Sequence, residues 1–172
     1  MDVADEESIK NASVEFRKFE LKLNVLINNA AILEDSGDIT NMPTKEFWSA
    51  INTNSIGAFI VIREFLPFMN KGGRIINVSS GVGALSDMNS YAPAYSISKT
   101  TMNAITKQFS AALKSKKIAV NSVSPGWVRT DMGGMTAPRS VEEGAETIVW
   151  LAAEAHQSKT GLFWRDKRVI EW

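Results

Sequence analysis

Apolar positions along this chain alternate between a helical period and short unbroken runs. Over residues 6–19, Ile9, Ala12, Phe16 and Phe19 recur at helical spacing among charged neighbours, which predicts a surface helix. Leu23, Val25, Leu26 and Ile27 then form a compact apolar run that Asn28 and Asn29 close, the pattern of a buried strand. Pro43 and Thr44 open a long helical stretch predicted to reach about residue 70, with Pro67 breaking or kinking it near its end. Gly72 and Gly73 punctuate the chain before a second strand over 74–78, which ends in Ser79, Ser80 and Gly81. A polar loop leads to a second long helix over 95–114, and a third strand over 118–123 stops at Pro125 and Gly126. Ser140 followed by Glu143 is a capping box for a helix that turns Ile148, Val149, Leu151 and Ala152 inward. A short last strand is expected at 162–164.

Strands alternating with helices predict an α/β fold, a three-layer parallel sheet of Rossmann-like type within a single domain over 1–172. The first three strands are nearly continuous apolar runs, as expected where helices cover both faces. Charge then narrows the function. Nineteen basic and nineteen acidic residues cancel, which argues against a nucleic acid or an anionic membrane as partner. Without cysteine there is no thiolate metal site and no cysteine nucleophile. A single histidine, His156, leaves nothing for a Ser-His-Asp triad or a histidine metal site, so no metal is expected. The acidic start is no signal peptide and no apolar run is long enough to span a bilayer, so a soluble, cytoplasmic protein is expected.

The candidate chemistry gathers at strand ends. Tyr95 and Lys99 form a Y-x-x-x-K at a helix start, where i and i+4 share one face. An ammonium there favours tyrosinate and moves the phenol toward usable acid–base range. Alone the motif is weak, because roughly one sequence in seven of this composition matches by chance. Its setting is stronger. Ser80 follows the second strand, at the edge where α/β sheets bind ligands. Asn54 is a polar residue inside an apolar helix and needs a partner.

Taken in order, residues 28–31 (Asn-Asn-Ala-Ala), 54–57 (Asn-Ser-Ile-Gly), Ser80, Tyr95 to Lys99, and Pro125-Gly126 to Thr130 resemble the short-chain dehydrogenase/reductase family. Residues 125–134 and 140–145, with Trp172 at the end, look like its carbonyl-reductase branch. Ala31 departs from the family's N-N-A-G by one methyl. The resemblance implies an NAD(P)(H)-dependent oxidoreductase that reduces a ketone or aldehyde, or oxidises the alcohol, by hydride transfer. In it Tyr95 is the general acid, Lys99 stabilises tyrosinate and binds the nicotinamide ribose, and Ser80 holds the substrate oxygen. Asn54 holds a water linking Lys99 to solvent. Asp2, Val3, Asn28, Ala30, Val128 and Thr130 line the cofactor along with Tyr95 and Lys99, and Trp127 meets the substrate. Trp127, Met132 and Met135 either line an apolar pocket or pack their own loop; the sequence leaves both open.

The family's opening strand and T-G-x-x-x-G-x-G are not found in these residues. Asp2 and Val3 resemble the end of its third strand, so the chain reads as the C-terminal strands and helices of a fold truncated at its N-terminus. The segment that selects NAD or NADP falls in the missing part, and the resemblance favours NADP. The alternative is a non-catalytic truncated fragment that acts as an oligomerisation or binding module. Expected partners are a small-molecule carbonyl substrate and either further copies of the chain or a full-length relative.

Overall fold

The computed structural model describes residues 1–34 and 37–172. Among these residues five strands form one sheet in the order β1-β2-β3-β4-β5: β1 (Leu23–Asn28), β2 (Met69–Val78), β3 (Ala119–Val123), β4 (Phe163–Arg165) and β5 (Arg168–Ile170). The first four run parallel, as expected, and β5, a strand the sequence pattern did not announce, returns antiparallel. Asp166 and Lys167 both take positive φ (51° and 57°), the geometry of a tight hairpin whose twist matches its strands. The helices are α1 (Glu6–Arg17), α2 (Thr44–Ile51), α3 (Gly57–Phe65), α4 (Pro93–Ala112) and α5 (Val141–Ala153).

Two apolar layers hold the sheet. On one face Ile75 and Val120 pack with Ile62 of α3, Leu113 and Ile118. On the other, Ile76, Val78, Val123 and Trp164 pack with Leu151 of α5. Adjacent residues Ile75 and Ile76 thus serve opposite faces, as strand alternation requires. Each is almost fully buried, a contribution of about 1.5–3 kcal/mol apiece. The helix α1 docks outside α3 through Ile9 against Ile60 and Val61.

The predicted long helix is interrupted twice. Residues Asn52–Ile56 form a π-helical turn between α2 and α3, and Leu66–Phe68, carrying Pro67, tighten into a 3₁₀ turn. The chain then enters β2 at Met69 rather than at 74, because the glycines allow an irregular pairing. Leu23 pairs with Met69 but Val25 with Arg74, and Gly72 takes φ 81° inside the bulge. Ser140 caps α5 as expected, with its side chain on the Glu143 amide and the Glu143 carboxylate on its own. Among the described residues no helix is long and apolar enough to cross a membrane.

Candidate active site

The carboxyl ends of the parallel strands open on one edge, and α4 begins beside it. Pro93 occupies the first turn of α4, where its missing N–H costs nothing. Ala92 before it is left-handed (φ 40°) and is held there by Ser96, whose amide donates to Ala92 O (2.8 Å) and whose hydroxyl donates to Tyr91 O (2.8 Å). One turn on come Tyr95 and Lys99. The Lys99 Nζ lies 5.4 Å from the Tyr95 ring centroid and donates to Val78 O at 2.9 Å. Only 1% of Lys99 is exposed, and burial pushes its ammonium down to about 8. Burial also raises the Tyr95 phenol above its ordinary value, while the facing Ser80 hydroxyl pulls it back down.

Ser80 is held opposite Tyr95 by the residues around it. Ser79 donates from its amide to Val123 O (2.8 Å) and from its hydroxyl to Lys99 O (3.2 Å). The turn Gly81–Gly83 lies flat on α4, where Gly83 O accepts from Thr100 Oγ1 (2.9 Å) and Asn103 Nδ2 (3.1 Å). A β-carbon on Gly83 would sit 2.7 Å from Lys99 Cβ, so this approach requires glycine.

Asn54 lies in the π turn, fully buried, and its side chain is committed. Its oxygen accepts from the Ile32 amide (2.8 Å), and its nitrogen donates to Ile32 O (2.9 Å) and Ser98 Oγ (2.9 Å). Ser98 in turn donates to Tyr95 O (2.7 Å), and Ser55 Oγ donates to Ser98 O (2.6 Å). The segment after β1, the π turn and the first turn of α4 are therefore one hydrogen-bonded unit. Sequence reasoning missed Ser55 and Ser98; serines on a buried helix face, at i+1 from Asn54 and i+3 from Tyr95, were the available signal.

Asn28 closes β1 in a polar row across three strands, in register with Asn77 and Ser122. Asn28 Nδ2 donates to Asn77 Oδ1, Asn77 Nδ2 to Thr106 Oγ1 and Ser122 Oγ to Thr106 Oγ1, each at 2.8 Å. The row fixes the strand ends under α4. Its Asn28 amide nitrogen faces inward, while Ala30 stands exposed on the rim. At the other end, Val3 is half-buried and its carbonyl touches Gly57, where a β-carbon would lie 2.3 Å away. Asp2 is exposed and its carboxylate accepts from the Ala4 amide (2.9 Å).

The third group lies on a separate loop. Val128 is half-buried against Gly144 of α5, and Thr130 Oγ1 accepts from the Gly133 amide at 3.1 Å. Trp127 donates to Gly133 O at 2.7 Å with 56% of its surface exposed, and Met135 is 86% exposed. In this structure those two apolar residues stand out in solvent. Ser80, Tyr95, Lys99 and Asn54 are drawn together; Asp2, Ala30, Trp127 and Thr130 are spread along the rim.

The donors present fit a dihydronicotinamide riboside. Lys99 keeps two N–H groups beyond the one on Val78, directed from a dry site beside Tyr95, which suits a ribose diol.

The sheet is an open α/β sheet, and a Ser, a Tyr and a Lys come together at its carboxyl edge. A family profile described as enoyl-(acyl carrier protein) reductase matches residues 1–161. The chain is 31% identical to carbonyl reductase [NADPH] 1 of Sus scrofa over 217 aligned residues, covering all of this chain and 75% of that protein. Among solved structures it is similar to the carbonyl reductase Sniffer of D. melanogaster (TM-score 0.91, 27% identity, 100% of this chain and 76% of that one). It is equally close to the NADPH-bound carbonyl reductase from chicken fatty liver (TM-score 0.90, 28% identity, 100% and 75%). The chain belongs to the short-chain dehydrogenase/reductase family of oxidoreductases.

Proposed function

We propose that this protein reduces the carbonyl group of a small molecule with NADPH, using Tyr95 as the proton donor. The observation that carries the reading is the convergence of half-buried Ser80 and Tyr95 with the buried Lys99. The phenol is held protonated by burial, as a general acid requires, beside an ammonium able to stabilise the tyrosinate it leaves. Ser80 hydrogen-bonds the substrate oxygen and aims it at the phenol. Lys99 orients the nicotinamide ribose through its two remaining N–H groups. Asn28 backs this edge from below, and Val3, Ala30, Val128, Thr130 and Asp2 border the cofactor along the rim. When bound, NADPH supplies the hydride that the carbonyl carbon takes up. NADP(H) rather than NAD(H) is supported by the relatives, two of which carry NADPH in their names.

Asn54 serves a proton relay to Lys99 through its backbone. Its side-chain groups are all engaged by Ile32 and Ser98, which leaves its backbone as the part that would hold the relay water. Trp127 covers the substrate from its loop.

The test follows NADPH oxidation with aldehydes and ketones. Tyr95→Phe is expected to lower kcat by about a hundredfold or more while the melting temperature stays within a few degrees. A phenylalanine variant that turns over ketones at the parent rate ends the assignment.

A further inference from the structure

Two arginines and one aspartate meet where β4 ends. Arg139 is engaged at both terminal nitrogens: one binds Asp166 Oδ1 and the other donates to Pro125 O at 2.7 Å. The same side chain lies against Gly126 (φ 79°), where a β-carbon would come within 2.8 Å of it. Arg139 thus clamps the start of the Trp127 loop onto the β4–β5 hairpin. Arg165 is placed differently. Its Nε is 3.8 Å from Asp166 Oδ2, past hydrogen-bond range, and none of its nitrogens has a hydrogen-bond acceptor among the described residues.

Its NH1 instead lies beside Gly81, 3.9 Å from where a β-carbon on that residue would stand. Gly81 immediately follows Ser80. Strand alternation sets Arg165 on the same side of the sheet as Phe163, which stacks on Trp172 beneath Lys107 of α4; Trp164 faces α5 instead. That is the side that carries Tyr95. Asp166 is the nearest opposite charge, an ion-pair contact at 3.8 Å, but its close bond goes to Arg139, so two arginines share one carboxylate, and Lys167 pairs with Glu146 at 2.7 Å. A guanidinium with open donors recognises carboxylate or phosphate groups through paired hydrogen bonds.

We infer that Arg165 is a specificity-determining residue, selecting carbonyl compounds that carry an anionic group. The inference rests on reading Ser80 and Tyr95 as the carbonyl site. Its test compares 4-acetylbenzoate with methyl 4-acetylbenzoate, the same aryl ketone with its carboxylate free or masked as a neutral ester, on the full chain and on Arg165→Gln. The parent should prefer the acid, and the variant should lower the acid-over-ester ratio of kcat/KM by about tenfold. Arg165→Lys should recover part of the ratio. Calorimetric binding of the two compounds, with and without NADPH, reads the same preference independently of turnover. If neither ketone is reduced but the acid's binding advantage falls with Arg165→Gln, the proposed reaction fails and the anion subsite stands. A ratio unchanged within twofold in both measurements overturns the subsite. So does a variant in which the affinity for NADPH falls and the acid preference does not, since the anion recognised would then be the coenzyme's own phosphate.

Discussion

Lys99 is a charge in a dry place, and its two roles pull in opposite directions. Burial depresses its ammonium from 10.5 to about 8, so the folded chain gives up this proton before the unfolded chain does. The stability carried by this group is therefore lowest below about pH 8 and rises between about 8 and 10.5. One bond to Val78 O accompanies the buried charge, against a desolvation penalty of a few kcal/mol. Lys99→Met is expected to raise the melting temperature at pH 7 by several degrees while abolishing reduction, with the gap narrowing toward pH 10. Thermal melts across that range check it; a lower melting temperature at pH 7 would mean that the Val78 bond outweighs desolvation. Activity should show the complementary sign. Tyr95 stays protonated because burial raises it, so the rate of reduction falls first where Lys99 loses its charge, above about pH 8. In Lys99→Arg, whose guanidinium does not titrate there, the fall should move to higher pH even if the absolute rate drops.

At the scale of elements, the site is a junction of three backbone pieces, and glycine makes two of the contacts. Gly83 brings the Ser80 turn onto α4, and Gly57 brings α3 under Val3. Gly83→Ala forces a methyl to within 2.7 Å of Lys99 Cβ and 2.8 Å of Lys99 C, neither of which can yield easily. The turn must lift, separating Ser80 from Tyr95. Both a melting temperature lower by several degrees and a kcat reduced by about tenfold or more are expected, and an unchanged kcat would show that the turn does not position Ser80. Much of this architecture was legible beforehand. The three apolar runs became β1, β2 and β3, and Ser140 with Glu143 marked the start of α5, because burial on two faces and capping chemistry are written locally. What escaped was decided elsewhere. The π turn at 52–56 has the same apolar period as the helix around it, and only the contacts of Asn54 with Ile32 and Ser98 select it. The strand β5 is three residues with two exposed, joined through Asp166 and Lys167 instead of the Asn-Gly that announces a hairpin. For the site, Ser80, Tyr95 and Lys99 carried a motif. Ser98, Arg139 and Arg165 carried none, since their roles arise from residues distant in the chain.

For the molecule as a whole, β1 is the exposed margin of the sheet. Among the described residues it pairs only with β2, and its other side presents unpaired backbone groups. Sheet edges of this kind are ordinarily blunted by charge, proline or a covering segment. Here the six residues Leu23–Asn28 hold no charge and no proline. The nearest cation, Lys22, is turned away, its Nζ donating to Pro67 O at 3.3 Å. Apolar surface lies alongside, with Phe19 68%, Leu21 60% and Ile27 43% exposed. Together these make a template for strand addition with an apolar flank, and a second copy of the same chain presents the complementary edge. The 172-residue chain is therefore expected to associate as concentration rises, its mass by light scattering growing beyond that of the 18.9 kDa monomer. Ile27→Lys sets a charge on the edge and should shift the distribution toward monomer without lowering the melting temperature by more than a few degrees, because the side chain is already half in water. A chain that stays monomeric at every concentration would show that the edge is protected. Association that Ile27→Lys leaves untouched would place the contact on another face.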